Sequence, residues 1–489
     1  MPERIAVHSI ASSAPPVRPV DAATVAASLA GTRTVVVIDD DPTGTQTTAG
    51  LPVLTGWSVD DVRWAMRQSV PSFFILTNTR GLSAANAARV TTEVARACAA
   101  AAELEGVDYA FVSRSDSTLR GHFPLETDVL ADELARTGVA TDGVIIVPAY
   151  IDAGRVTAAS VHYLRRDDDL VPVGESEFAM DATFGYRSSD LRDWVEEKTA
   201  GAVRASDVEA ITLTDLRGDA EALTRRIASL TRGRVAVVDA LTDDDLRALS
   251  LALIEAEREG RRFIYRVGPS FVRARLGQDA SAPIAGDDLA RIVSGSEAST
   301  GHGLVVVGSH TALTTGQLER LRAALPVTDL ELDVNRLRDA VTADATFGGL
   351  AERVADELRR GIVVLSTSRT LVTGADGEES LAFSRLVSGS LVRVVREALA
   401  RVRPAFVVAK GGITSSDIAT EALGIVRART RGTLLPGIVS LWEPLSGPAD
   451  GIPYVVFAGN VGGEQSLADV VAALNRAADE AAGTNERVS

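Results

Sequence analysis

Short apolar runs of β character recur along this chain with stretches of helical periodicity between them. This alternation limits the possible folds more than any other feature. In the first half the runs are Val35–Ile38, Phe73–Thr77, Tyr109–Ser113, Val144–Val147, Val235–Asp239 and Phe263–Val267, with helical stretches clearest at Ala84–Leu104 and Asp243–Arg258. Strands alternating with helices build a mostly parallel sheet covered by helices on its faces. The segment from Tyr163 to Arg204 is less regular. Its charged cluster at Arg165–Asp169 is expected to lie in an elaborated loop that leads to a helix.

A second series follows, with strands expected at Leu304–Val307, Ile362–Ser366, Ala405–Ala409, Gly437–Leu441 and Tyr454–Phe457. Helices fit at Thr315–Ala324, Leu350–Arg360, Ser384–Arg401, Ser415–Leu423 and Ser466–Ala482. Between the two series, Gly277–Gly303 is dominated by Gly, Ala, Ser, Asp and Pro and holds one short helical piece near Asp287–Ile292, the composition of a linker. The expected architecture is α/β with two domains, each a mostly parallel sheet flanked by helices. The boundaries read as an N-terminal extension at 1–22, a first domain at 23–275, a linker at 276–303, a second domain at 304–483 and a tail at 484–489. A length of 489 residues agrees, because single cores stop growing well below it.

Composition narrows the function. With 46% hydrophobic and 24% charged residues this is ordinary globular material. A net charge of −16 argues against nucleic-acid binding, since a phosphate backbone would be repelled. Any small anion must then be held by local donors, which raises the weight of the few arginine-bearing loops. The single cysteine, Cys98, rules out an intramolecular disulfide and a cysteine metal cluster, as expected of a reducing cytoplasm. No continuous apolar stretch reads as a signal peptide or a membrane span, so a cytoplasmic protein without membrane partners is expected.

Two strand exits carry most of the chemistry. Asp39–Thr48 (DDDPTGTQTT) follows the first run, and Ser113–Glu126 (SRSDSTLRGHFPLE) follows the third. Ligands of open α/β sheets bind outside the carboxyl ends of the strands, so two such turns point to one polar pocket. Arg114 and Arg120 suit a carboxylate, while Asp40, Asp41, Thr43, Asp116, Ser117 and Thr118 suit hydroxyl groups. Gly44 and Gly121 keep the turns tight, and His122 is either a base, a donor to substrate or a turn residue. The competing reading, that these are only capped loops, covers one such string easily and both less well. The five histidines, His8, His122, His162, His302 and His310, lack metal-ligand spacing, and Asp167–Asp169 reads as a solvated acidic turn rather than a Mg²⁺ site.

In the second half, three strands run into glycine-bearing loops ahead of helices. These are Gly308–Thr311 (GSHT), Lys410–Asp417 (KGGITSSD) and Ala458–Gly463 (AGNVGG). Glycine lets backbone N–H groups approach phosphate oxygens, and a helix N-terminus adds favourable partial charge. Three such loops at one sheet edge would form a nucleotide phosphate site without a Walker A motif, which occurs nowhere in the chain. Singly, each loop is equally a tight turn. Lys410 reads either as a phosphate contact or as a strand-end lysine snorkelling to solvent.

These motifs resemble the four-carbon acid sugar kinases. Asp40-Asp41-Pro42-Thr43-Gly44 matches that family's first strand exit, and Asp116 to Gly121 matches its Asp-Ser-Thr-Leu-Arg-Gly string without a substitution. Thr77-Asn78-Thr79-Arg80 looks like its second loop, and Pro148-Ala149 with Gly154-Arg155 like a further one. Gly308-Ser309, Gly411-Gly412-Ile413-Thr414 and Gly459-Asn460-Val461-Gly462 correspond to its nucleotide loops. The resemblance spans nearly the whole chain. It implies an N-terminal sugar-acid-binding domain, with Thr79, Arg80 and Arg155 added to the substrate residues, and a C-terminal ATP-binding domain. The implied reaction is phosphorylation of a terminal hydroxyl, with Mg²⁺ and ATP, on erythronate, threonate or a 3-oxo-tetronate. Asp116, Asp40 and Asp41 are the candidate catalytic carboxylates. Two departures stand out: Phe457-Ala458 replaces the usual Lys-Ser, and Ile413 replaces a common Glu.

Two other functions are consistent with the residues. A non-catalytic sensor of a sugar acid is motivated by Phe457-Ala458. An NAD(P)-dependent sugar-acid dehydrogenase is weakened because no strand is followed by G-x-G-x-x-G with an acidic residue at the next strand's end. A homodimer is expected only because it is the commonest closed assembly.

Overall fold

The computed structural model describes the chain apart from residues 1–3, 7–8, 11–12, 42, 281, 296–297, 335–336, 338–339, 370–376 and 489, so His8 and Pro42 lie outside the described residues. The chain divides into two compact units, Met1–Ala280 and Ser281–Ser489.

In the N-terminal unit, chain order gives β1 (Ile5–Ala6), β2 (Thr34–Asp39), β3 (Pro52–Leu54), β4 (Ser72–Leu76), β5 (Tyr109–Arg114) and β6 (Gly143–Val147). It continues with β7 (Arg155–Ala158), β8 (Val161–Arg166), β9 (Asp169–Pro172), β10 (Glu209–Ile211), β11 (Arg234–Val238) and β12 (Phe263–Val267). The main sheet has the order β10-β11-β6-β12-β5-β2-β4-β3 and every described pair in it is parallel. Runs such as Val35-Val36-Val37-Ile38 lack alternation because helices cover both faces of such a sheet. On one side Val36, Phe73 and Phe111 pack with Val90, Val94, Cys98 and Ala101 of helix Ala84–Glu105, residues spaced to share one helical face. Around β6 and β11, Ile146 and Val237 pack with Leu191 and Trp194.

The irregular segment after Tyr163 differs from expectation. Val161–Arg166 and Asp169–Pro172 form an antiparallel hairpin, and with β7 and β1 they make a second small sheet. Asp167, at φ 55°, takes the left-handed turn that joins the hairpin, so the charged cluster is the tip of a ribbon whose buried residues are Tyr163, Leu164, Leu170 and Val171. The charges at the hairpin tip interrupt two short apolar stretches and so hid the strand pair.

The C-terminal unit contains β13 (Gly303–Val307), β14 (Val327–Leu332), β15 (Ile362–Thr367), β16 (Phe406–Lys410), β17 (Arg427–Leu435), β18 (Val439–Pro444) and β19 (Tyr454–Phe457). Strands β19-β16-β13-β15-β14 are parallel neighbours, while β17 and β18 join the β19 side antiparallel. Strands β14 and β17 were not anticipated. The first reads Val-Thr-Asp-Leu-Glu-Leu and the second places Arg427, Arg429 and Arg431 on alternate positions, so neither shows an apolar run. Helix Gly286–Ser294, within the segment read as a linker, buries Leu289 and Val293 in the core of this unit.

Candidate active site

In the N-terminal unit, four loops leave the sheet at one level. Asp39 of β2 is in register with Leu76 of β4 and with Arg114 of β5; Arg114 is in register with Val267 of β12, and Val267 with Val147 of β6. The loops that begin at Asp40, Thr77, Ser115 and Pro148 therefore start side by side. After β2 the chain crosses to β3 and β4, whereas β5 lies on the other side of β2, so the crevice falls where the strand order reverses.

Charged side chains organise this edge. Arg80 forks across two carboxylates: Nη2 donates to Asp40 Oδ1 at 2.5 Å, Nε to Asp40 Oδ2 at 3.2 Å and Nη1 to Asp41 Oδ2 at 2.8 Å. Arg114 Nη1 donates to Asp39 Oδ1 at 2.9 Å. Asp41 also accepts from the Thr43 N–H at 2.8 Å and the Thr43 hydroxyl at 2.5 Å. Asp116 accepts from Thr118 Oγ1 and from Arg120 Nε, the latter at 2.6 Å. Arg120 also faces Asp181 at 3.5 Å and stacks on Phe178.

The carboxylates differ in how readily they ionise. Burial disfavours charge on Asp116, but Arg80 and Arg120 outweigh it and hold the group well below the usual carboxylate range. Asp41 is likewise held low against burial, by Arg80, Arg114 and Thr43. Asp39 goes the other way: burial pushes it up to about 7 despite Arg114, and its Oδ2 has no hydrogen-bond partner among the described residues. Glu126 is pushed up to about 7 by burial, with Asp40 adding to the effect. It accepts from Thr79 Oγ1 at 2.6 Å and Ser113 Oγ at 3.3 Å.

Two glycines are required by these contacts. A Cβ on Gly44 would stand 1.6 Å from Asp39 Oδ2. Gly121, at φ +117°, would place one 2.9 Å from Asp40 Oδ2. Ser117 and Thr118 anchor the loop through their carbonyls, which accept from His162 Nε2 at 2.8 Å and Tyr186 OH at 2.6 Å. His122 directs Nε2 at the Thr79 and Leu82 carbonyls, both at 3.1 Å, which ties the turn to the neighbouring loop.

Arg114 and Arg120, the arginines first assigned to a substrate carboxylate, thus already face protein carboxylates. Arg155 does not: among the described residues its side chain makes no ion pair, donates from Nη1 to the Ala153 carbonyl at 3.1 Å and lies over the Tyr150 ring. Sequence reasoning missed Arg266, which is buried at the end of β12, stacks on Phe123 and Trp194 and donates to the Arg120 carbonyl at 3.2 Å. Its one signal is a charge inside the apolar run Phe263–Val267. Glu126 and Tyr150 were missed for the opposite reason, since nothing marks them before the loops are folded together.

The C-terminal unit brings its three glycine loops together by backbone register. Val307, Lys410 and Phe457 are aligned on adjacent strands. A Cβ on Gly308 would lie 2.2 Å from Thr414 Oγ1, and one on Gly459 would lie 2.6 Å from Ser309 Oγ. Gly411 takes φ +132°, and Gly462, at φ +83°, abuts Ser466. Gly412 is half-buried with open space above it, Asn460 is exposed, and Ile413 is 69% exposed at the start of helix Gly412–Asp417. Thr311, the last residue of the GSHT loop, and Thr314, which sequence reasoning passed over, both donate to the Gly459 carbonyl. Arg369 donates to the Ser309 carbonyl at 2.6 Å and to Thr315 Oγ1 at 2.8 Å.

Lys410 departs from both earlier readings. It is fully buried, so it neither reaches solvent nor stands free for a phosphate. Among the described residues no group of three or more His, Cys, Asp or Glu is arranged to hold a metal ion, and no helix is long and apolar enough to cross a membrane.

Comparison with known proteins fits this division. Residues 35–275 match a sugar-binding N-terminal domain and residues 304–467 a nucleotide-binding C-terminal domain. The chain is 26% identical, over 75% of its length and 80% of the relative, to the D-erythronate kinase of Heliobacterium modesticaldum. Solved structures from Salmonella typhimurium LT2 (TM-score 0.64, 19% identity, 89% of this chain and 98% of that one) and Haemophilus influenzae (TM-score 0.61, 17% identity, 90% and 100%) share the fold. With a sugar-binding domain first, a nucleotide-binding domain second and the Asp116–Gly121 string intact within the first, the chain belongs to the four-carbon acid sugar kinase family.

Proposed function

We propose that this protein transfers the γ-phosphoryl group of ATP to the terminal hydroxyl of a four-carbon sugar acid such as erythronate, threonate or a 3-oxo-tetronate. The observation that carries this reading is Arg155, a guanidinium without an ion-pair partner among the described residues, whose charge is felt by the ionised Asp116 of the neighbouring loop. Together they suit a small molecule that is anionic at one end and hydroxylated at the other. The named activity of the Heliobacterium relative supports the same class.

Phosphoryl transfer asks little covalent chemistry of a protein; positioning and charge neutralisation carry most of it. In this reading Arg155 holds the substrate carboxylate. Asp116 accepts the proton of the attacking hydroxyl as the new O–P bond forms and the bond to ADP breaks. A strongly ionised carboxylate can do this because the proton is released late, once the hydroxyl oxygen has become acidic through bonding to phosphorus. The Asp41 side chain is 25% exposed and can orient a second hydroxyl, whereas Asp40, 2% exposed and forked by Arg80, is a positioning residue. In the C-terminal unit the glycine loops supply backbone N–H groups for the phosphates. Mg²⁺ would enter with ATP, held by the nucleotide phosphates and water rather than by an all-protein cage, and would neutralise phosphate charge.

The test is a coupled assay of ATP consumption across four-carbon acids and their 2- and 3-oxo forms. Turnover that requires one of these acids, with a phosphorylated product, is expected. Background ATP consumption with all of them would remove the proposal.

A further inference from the structure

Lys410 ends β16 at the point where all three glycine loops of the C-terminal unit meet. Its carbonyl accepts from the N–H groups of Gly308 at 3.2 Å and Ser309 at 3.4 Å, and the next residue, Gly411, donates to the Phe457 carbonyl at 2.9 Å. Its Nζ donates to the Ala458 carbonyl at 2.7 Å and sits 3.8 Å from the centre of the Phe457 ring; it also reaches the Val461 carbonyl at 3.5 Å, which it shares with Gln317 Nε2 at 3.1 Å. No carboxylate pairs with it among the described residues, and burial pushes the amine down to about 7. A buried lysine without an acid partner is costly, so the fold must keep this one for something other than cohesion.

The peptide group shows what it does. C=O and N–H of one trans peptide point in opposite directions because the unit is planar. The Ala458 carbonyl belongs to the same plane as the Gly459 N–H, and the Val461 carbonyl to that of the Gly462 N–H. An N–H donor that holds the Ala458 carbonyl, and with Gln317 the Val461 carbonyl, therefore turns both N–H groups away from itself, whether the amine is charged or neutral. Neither N–H donates to another backbone group among the described hydrogen bonds. Backbone N–H groups that no protein acceptor uses, turned to one side of a glycine loop, are donors for an anion.

We propose that Lys410 is the positioning residue of the phosphate site, holding the turn from Ala458 to Val461 so that the Gly459 and Gly462 N–H groups face a phosphate that the lysine itself never touches. The proposal rests on the nucleotide-binding reading of this unit. It explains how a chain with Phe457-Ala458 can still present a phosphate loop: the ring supports the ammonium and the Ala458 carbonyl receives it.

Calorimetry with ADP and with adenosine separates the possibilities. Lys410→Met keeps the stem and removes the donor; ADP affinity should fall about tenfold or more, while adenosine affinity stays within about twofold. In the unchanged protein, amide exchange across residues 458–463 should slow on adding ADP and not on adding adenosine, a readout that does not depend on the variant folding. Equal ADP affinity in the variant, equal loss of ADP and adenosine, or no ADP-dependent protection of 458–463 would each overturn the assignment. Failure of the unchanged protein to bind ADP at all would instead sink the kinase reading.

Discussion

The two units of this protein build binding sites from different materials. At the sheet edge of the N-terminal unit, arginines face carboxyl groups: Arg80 with Asp40 and Asp41, Arg114 with Asp39, and Arg120 with Asp116. At the sheet edge of the C-terminal unit the contacts are glycines, hydroxyls and carbonyls around one buried lysine. The difference follows from what each is proposed to bind. A sugar acid differs from its stereoisomers only in hydroxyl placement, which forked and charge-assisted side-chain contacts can discriminate. A phosphate group is the same on every nucleotide, and backbone N–H groups are sufficient for it.

The largest expected effect comes from adding one methyl to the charged edge. Gly44→Ala drives a Cβ into Asp39, whose carboxylate is pinned by Arg114, and overpacking of this kind costs roughly 1–3 kcal/mol. We expect kcat/KM for the acid to fall roughly a hundredfold with ATP KM nearly unchanged. Gly308→Ala is the matching change in the other unit. The new Cβ would meet one atom closely, Thr414 Oγ1 at 2.2 Å, where a Cβ on Gly44 meets three atoms of Asp39 within 2.5 Å, so ATP KM should rise only about tenfold and acid KM should not follow. If either substitution moves both Michaelis constants together, the two edges are not separate sites.

Asp116→Asn removes the proposed proton acceptor and one partner of Arg120. A loss of roughly a hundredfold in kcat, with smaller changes in either KM, is expected from steady-state kinetics. Parallel loss of kcat and of melting temperature would mean that Asp116 only braces the loop. Arg120→Lys is milder. Lysine offers a point charge where the planar guanidinium reaches Asp116 and Asp181 together, so acid KM should rise about tenfold while ATP KM stays level. An unchanged acid KM would remove Arg120 from the substrate site.

The smallest effect is a contrast in pH dependence. Asp39 and Glu126 have folded pKa values near 7, above their ordinary carboxylate values. Between about pH 4.5 and 7 the folded unit holds protons that the unfolded chain has released, so its stability falls as pH rises. His162, pushed down to about 4 by burial, opposes this below about pH 6.5 but is one group against two. Asp41 and Asp116 are ionised in both states there and drop out. Lys410 is the reverse case: from about pH 7 to 10 the unfolded chain binds the proton and the folded unit does not, so the C-terminal unit gains stability as pH rises. Peptide-resolved amide exchange over β5 and β16 should therefore show slopes of opposite sign in these windows. Slopes of one sign would show that other groups govern both units.

Much of the frame was legible in the residues because it depends on local chemistry. The run Val35–Ile38 has no polar alternation, which only a doubly covered strand tolerates, and Thr242 with Asp245 caps helix Asp243–Arg258 at the residue where the apolar pattern begins. Both polar strand exits and all three glycine loops could be found for the same reason: their residue types are costly in regular structure and concentrate in turns. Strands β14 and β17 were hidden because their stability comes from neighbours rather than from their own apolar content, and β8 because its short apolar stretch runs into a charged turn.

The sequence by itself determined the alternation of strands and helices, the division into two units and the strings from which a polar and a glycine-rich edge are made. Tertiary structure alone decided which of those residues are available. The fold placed Arg114 against Asp39, left Arg155 without an acid partner among the described residues, brought Glu126 to Thr79 and Arg266 to the Arg120 carbonyl, and buried Lys410 against the Ala458 carbonyl. Charge and hydrogen bonding act through distance, and for residues on different strands distance is set by the fold.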